Sequence, residues 1–289
     1  MCIIVERATV MLRRVGVLAQ ATLLICAASV PAWSQENQVQ RDLNSEFKGK
    51  TLLLRHFYEN YDLEYDAHGD VVGDVKPSPW TLAYVKIAKV LVTSHGIEIM
   101  GNRKGAWYRG EKPDMQELGK QRIHVSMPIS DSDSSATLRP IFKRIFLDAD
   151  EDLRPMVPEC WQSYFGGRDP ETRSEAWRGM LEKDNDPPIV KKVDGASFSG
   201  ISAPRITFNP DPNYTKVAAS NHVEGTSVLR TVVNANGMTS HVAVARPLGM
   251  GLDEQAVLAV SQWKFQPAKR DGVPVRVQIA VEVSFRCCP

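Results

Sequence analysis

Neither sign of charge dominates this 289-residue chain: 35 lysines and arginines face 34 aspartates and glutamates, a formal net charge of +1. Residues 1–34 hold three of the arginines and one glutamate, so the balance survives their removal. Bulk charge therefore recruits neither nucleic acid nor an anionic membrane. Histidine is sparse as well. The six, at positions 56, 68, 95, 124, 222 and 241, form no pair at ligand spacing beside cysteine or carboxylate, so no metal centre is expected. Asp131-Ser132-Asp133 and the acidic run Asp148 to Asp152 lack the glycine and distal glutamate of a calcium loop and read as solvated loops. The stretch Gly195 to Gly200 has the wrong spacing for a nucleophile elbow. Cys160 has no identifiable base partner. No catalytic residue and no cofactor is assigned, and the chain is not expected to be an enzyme.

Cysteine is scarce too, five residues in all, two of them in the first 34 positions. That N-terminal stretch reads as an export signal: Arg13 and Arg14, an apolar run from Val15 to Val30, then Ala32-Trp33-Ser34 as small residues for cleavage before Gln35. The alternative is an uncleaved anchor, because the run is close to the shortest that spans a bilayer core. Export implies an oxidising compartment in which Cys160, Cys287 and Cys288 remain. Cys160 bridged to the tail, a vicinal bond within the tail, and three free thiols all stay open.

What is present is patterned secondary structure. The length and the 43% hydrophobic content suit a soluble protein of two modest domains. Residues 35–46 are polar and read as a disordered lead-in. From 46 to 183 the pattern is mostly strand: Lys50 to Phe57, Leu63 to Asp66, Trp80 to Val92, Ile97 to Met100, and the alternating run Ile123, Val125, Met127, Ile129. Leu138, Ile141, Phe142, Ile145 and Phe146 then fall at helical spacing with Thr137 as N-cap, and a second helix is expected around Glu171 to Lys183, burying Trp177 and Leu181. Residues 186–213 carry five prolines and no period, as a spacer between domains would.

The last segment is the most regular. A short helix begins at Tyr214 and stops at Gly225; two strands, Ser227 to Val233 and Met238 to Ala245, meet at an Asn236-Gly237 turn. A second helix carries Asp253 and Glu254 in its first turn, where the helix dipole favours them. From Val275 to Phe285 apolar and polar residues alternate strictly, with Arg276, Gln278 and Glu282 on the face expected to meet solvent. The order helix, strand, strand, helix, strand predicts a small antiparallel sheet with both helices on one face, and the whole chain reads as α+β.

Residues 204–286 resemble the TonB C-terminal domain family. The resemblance rests on Val223-Glu224-Gly225, the Asn-Gly turn, Gly249-x-Gly251-Leu252-Asp253-x-x-Ala256, Ala259-Val260-x-x-Trp263-x-Phe265-x-Pro267-Ala268, and Gly272-x-Pro274-Val275 before the alternating end. As a dinucleotide loop, Gly249-Met250-Gly251 lacks both the preceding parallel strand and the third glycine. The resemblance implies a protein partner, an outer-membrane TonB-dependent receptor whose short segment is added as a strand to the sheet edge. It assigns that edge to Val275, Arg276, Val277, Gln278, Ile279, Ala280, Val281 and Glu282, with Tyr214 in place of the family's tyrosine before the first helix. A homodimer through the same edge is the alternative, and no nucleic acid is implied. The family's anchor histidine and long proline-rich spacer have no counterpart in this sequence, so binding is expected more than force transmission. The expected location is the periplasm, or the inner membrane facing it if the leader is kept.

Overall fold

The structure is a computed structural model and describes residues 32–148, 151–182, 189 and 200–287. The export signal read at residues 1–34 lies outside the described residues except for its last three positions. Most of the proline-rich stretch before Gly200 and the Cys288 half of any vicinal bond also lie outside them.

The first unit opens with α1 (Ala32–Phe47) and continues through β1 (Thr51–Leu54), β2 (Asp62–Tyr65), β3 (Val71–Val72), a single 3-10 turn Trp80–Leu82, and the long strands β4 (Tyr84–Thr93), β5 (Gly96–Tyr108) and β6 (Pro113–Met127). It then closes with α2 (Ser135–Ile145), β7 (Phe146–Leu147), α3 (Glu159–Phe165) and α4 (Pro170–Leu181). The strands form a seven-stranded sheet in the order β3-β2-β6-β5-β4-β1-β7, antiparallel except where β2 runs parallel to β6. Alternation decides its inner face. Val85, Ile87, Val90, Ile97, Ile99, Ile123 and Val125 are buried, and a bulge between Ile87 and Lys89 keeps the pattern in phase. α2 brings Leu138, Phe142 and Ile145 into this core, and Phe142 stacks on Phe47 of α1 at 4.7 Å between centroids. Its N-cap is Ser134 rather than Thr137; the two exchange hydrogen bonds as a capping box.

The polar stretch 35–46 is helical rather than disordered. Only Val39 and Leu43 of α1 are buried among its residues whose side chains are described apart from the partly buried flanks, a narrow i, i+4 stripe. The helix is held instead by amide side chains: Asn44 gives Nδ2–H to the Val90 carbonyl (2.6 Å) and accepts from the Val90 amide (3.0 Å), while Gln40 accepts from the Val92 amide (3.0 Å). These are backbone groups of β4 beyond the end of β1, which pairs only with Tyr84 to Lys86. The helix thus satisfies a strand edge that would otherwise be unpaired.

The second unit contains β8 (Ile201–Ser202), β9 (Arg205–Phe208), α5 (Lys216–Ser220), β10 (Gly225–Val233), β11 (Thr239–Arg246), α6 (Leu252–Val260), β12 (Lys264–Gln266), β13 (Lys269–Arg270), β14 (Val273–Pro274) and β15 (Val277–Phe285). Its central sheet has the order β11-β10-β15, all antiparallel. β9 pairs with β12, and β8 and β14 flank β13. The Asn-Gly hairpin forms as expected, with Gly237 at φ 82° and packed so closely on Phe265 that a Cβ would sit 2.0 Å from its carbonyl oxygen. The α+β class, with the small sheet and two helices at the C-terminus, is as the sequence indicates.

The two units share one continuous apolar core. Leu248 to Met250 meet β5 in one antiparallel bridge, Gly249 opposite Trp107: the Tyr108 amide donates to the Leu248 carbonyl (2.8 Å) and the Met250 amide to the Ala106 carbonyl (3.0 Å). A Cβ on Gly249 would lie 2.0 Å from the Ala106 oxygen, so only glycine fits. α3 and α4 lie against β11, and Trp177 packs on Val232 and Ala243 while its indole N–H donates to the His241 carbonyl (3.2 Å).

Candidate functional site

β15 pairs with β10 along its entire length, from Val277 opposite Val233 to Phe285 opposite Gly225. Among the described residues no other strand pairs with it, so it ends the sheet. The direction of its free backbone groups follows from the hairpin. The Asn234 amide donates to the Met238 carbonyl (2.9 Å), which turns even-numbered residues of β10 toward β11 and odd-numbered ones toward β15. Val277, Ile279, Val281 and Val283 therefore bond to β10, whereas Gln278, Ala280, Glu282 and Ser284 turn their N–H and C=O groups outward. An extended segment laid beside β15 would meet those four residues first.

Side chains follow the same parity. Val277, Val281, Val283 and Phe285 are buried in the core and Ile279 is half-buried, while Ala280, Glu282 and Ser284 are exposed and Gln278 is half-buried. Glu282 lies 3.9 Å from Arg246, and both side chains are about two-thirds exposed or more (71% and 66%), a pair worth little in water. Val275 and Arg276 precede the strand rather than belong to it. The Val275 amide donates to the Ala268 carbonyl (2.8 Å). Arg276 is the correction to the expected solvent face: it is 7% exposed, and its Nε donates to Asn234 Oδ1 (2.9 Å). The chain turns through β14 just before it, so strict alternation does not extend back to 276, and the guanidinium fastens the β10–β11 turn to the start of β15.

Tyr214 sits at the other end. Its ring meets Phe285 edge-on at 5.7 Å, and its hydroxyl donates to the Val223 carbonyl. It thereby clamps the approach to α5 onto the last residue of β15. Among the described residues, Cys287, two residues on, and Cys160 are both free thiols.

A second polar group joins the units and was read from the sequence only as helix-dipole chemistry. Asp253 is completely buried and accepts from Ser227 Oγ (2.6 Å), the Leu248 amide (2.9 Å) and the Gly249 amide (2.6 Å). It therefore shapes the loop that lies on β5. Glu254 accepts from the Trp161 indole N–H (2.9 Å) with one oxygen and leaves the other without a partner among the described residues. Burial, and then the charge of Asp253, push the Glu254 carboxyl up to about 7. Asp253 is itself raised to about 6 by burial, against three hydrogen bonds that favour its charge. With three donors on Asp253 and one on Glu254, the proton of the pair belongs on Glu254. Among the described residues no cluster of histidine, cysteine and carboxylate is placed to hold a metal ion. No described helix is long and apolar enough to cross a membrane.

The family description of the Gram-negative bacterial TonB protein C-terminal matches residues 210–287. Protein tonB2 of Pseudomonas aeruginosa is 38% identical over 79 residues, 27% of this chain and 29% of that protein. Protein TonB of Vibrio cholerae serotype O1 is 33% identical over 82 residues, 28% of this chain and 34% of that protein. The chain thus spans about a third or less of the length of the curated relatives it matches. Residues 210–287, with α5, β10, β11, α6 and the open strand β15, are a TonB C-terminal domain.

Proposed function

We propose that this protein is an exported, periplasm-facing binding and coupling module that captures an extended segment of an outer-membrane receptor by strand addition at β15, in the service of TonB-dependent transport. The observation that carries this reading is the outward row of N–H and C=O groups on Gln278, Ala280, Glu282 and Ser284, in a sheet whose opposite edge strand is flanked by α3 and α4. Backbone pairing gives affinity without demanding one partner sequence. In this reading residues 1–34 direct export or remain as an anchor, residues 46–183 form a folded unit in place of a spacer, residues 186–213 connect it, and residues 204–286 bind. Val275 and Arg276 support the strand from its start and Tyr214 from its end. The protein binds and does not catalyse.

A second reading, an envelope dimer, is favoured by the same feature, since a nine-residue antiparallel edge also pairs with its own copy about a two-fold axis. A photo-crosslinking side chain at position 282 of the full-length protein, activated in the living envelope, separates the two. The transport reading expects a product with an outer-membrane receptor, lost in the Q278P/A280P double variant, whose prolines remove only outward N–H groups. Products with a second copy alone would favour the dimer, and receptor products unchanged by the prolines would contradict strand addition.

A further inference from the structure

A cleft of about 550 Å3 opens in the first unit where the segment after β1, the β2–β3 hairpin and the last turn of α2 meet; Arg55, His56, Tyr65, Asp70, Lys143 and Arg144 contribute to its wall. It belongs wholly to that unit and is independent of β15. Its volume is in the range that holds a small molecule.

Three observations bear on what it takes. The wall contains His56, which with Phe57 forms a consecutive pair of non-glycine residues in the left-handed region, at φ 63° and 55°. Such strain persists where the surroundings impose it, and it gathers at ligand sites. The wall also contains Tyr65, 3% exposed, whose hydroxyl has no hydrogen-bond partner among the described residues. Close enough to Tyr65 for their charges to interact lies Arg103, 4% exposed, which gives Nη2–H to the Asn60 carbonyl (2.6 Å) and has no partner for Nη1. Two neighbouring buried donors thus lack an acceptor, where interiors ordinarily supply one.

The three cations of the wall, Arg55, Lys143 and Arg144, each have a carboxylate within reach: Glu151 for Arg55 (2.8 Å), Asp148 for Lys143 (2.8 Å) and Asp70, itself in the wall, for Arg144 (2.5 Å). The cleft is therefore balanced in charge, and what it offers an anion is donors. Arg55 also gives two nitrogens to the Lys143 carbonyl, so its donors are spent. Among the described residues Arg144 meets Asp70 through Nη2 alone, which leaves its other N–H groups for a ligand. We propose that this cleft binds a small oxyanion-bearing molecule, a carboxylate or phosphate, whose oxygens accept from the Tyr65 hydroxyl and the Arg144 guanidinium.

The test is thermal melting of the full-length chain titrated with inorganic phosphate and, separately, with citrate, each against chloride at matched ionic strength. A saturable rise with phosphate assigns a phosphate ligand, and a rise with citrate assigns a carboxylate. Y65F is expected to weaken the responding anion on the order of tenfold, yet to melt higher than the native protein without ligand, because a buried hydroxyl with no partner is removed. R144Q, at the exposed rim, is expected to weaken binding without that gain in stability. No saturable response to either anion, or a response that both variants leave unchanged, would overturn the proposal.

Discussion

Glu254 shows how far one carboxyl can depart from the role its sequence position suggests. In the first turn of α6 it should face water and the helix dipole; instead the residue is half-buried and its carboxyl is turned inward, with the Trp161 indole of α3 on one oxygen and the other cut off from water. Its pKa rises from 4.5 to about 7 on burial. Between those values the native chain holds a proton that the unfolded chain releases, so native stability falls as pH rises from about 4.5 to about 7 and is level above that. Melting curves at pH 5 and pH 8 are expected to differ by about 5 °C in favour of pH 5. E254Q keeps the acceptor for Trp161 and removes the titration, so most of that difference should vanish; an undiminished difference would place the titrating group elsewhere. Asp253 titrates in the same sense but lower, since its three hydrogen bonds hold it to about 6, so it supplies the smaller part of the difference that remains in E254Q.

Among the elements, α1 and the Gly249 loop perform work that periodicity does not announce. α6 and β15 are readable from their apolar period, and β10 and β11 from the Asn-Gly turn that fixes their hairpin, although β11 is interrupted by two register shifts. α1 was not, since Val39 and Leu43 make too short a stripe and its hold on β4 comes from Asn44 and Gln40, residues whose composition suggests disorder. Asn44→Ala leaves the Val90 amide and carbonyl without partners and is expected to cost about 2 kcal/mol in denaturant unfolding. A loss near zero would mean water replaces the side chain. The Gly-x-Gly motif is legible as part of the family resemblance but not as a joint, because its contacts to β5 are made by backbone, which leaves no signature in side-chain pattern. Gly249→Ala combines a φ of 90° with a Cβ 2.0 Å from the Ala106 oxygen, so about 3 kcal/mol or more of stability should be lost. Rapid proteolysis around residue 200 should accompany that loss, and a variant as resistant as the native protein would contradict the proposed joint. Arg276 illustrates the limit of alternation itself: a strand's parity holds only within the strand, and the turn at β14 reset it.

At the scale of the whole molecule, a continuous core and a backbone bridge join units that the proline-rich stretch suggests are separate. They are expected to unfold together, giving one calorimetric transition whose van't Hoff and calorimetric enthalpies agree; two resolved transitions would mean the joint contributes little. The docked surfaces are α6, the 248–250 loop and β11, so the arrangement leaves β15 at the sheet's outer edge. The most direct test of strand addition there is residue-resolved amide exchange of the full-length protein, alone and with the receptor segment recovered by crosslinking. Strand addition predicts new protection at Gln278, Ala280 and Glu282, alternating with Val277, Ile279 and Val281, which β10 already protects and which should change little. Protection that appears on β11 or α6 while those three outward amides exchange as before would contradict it.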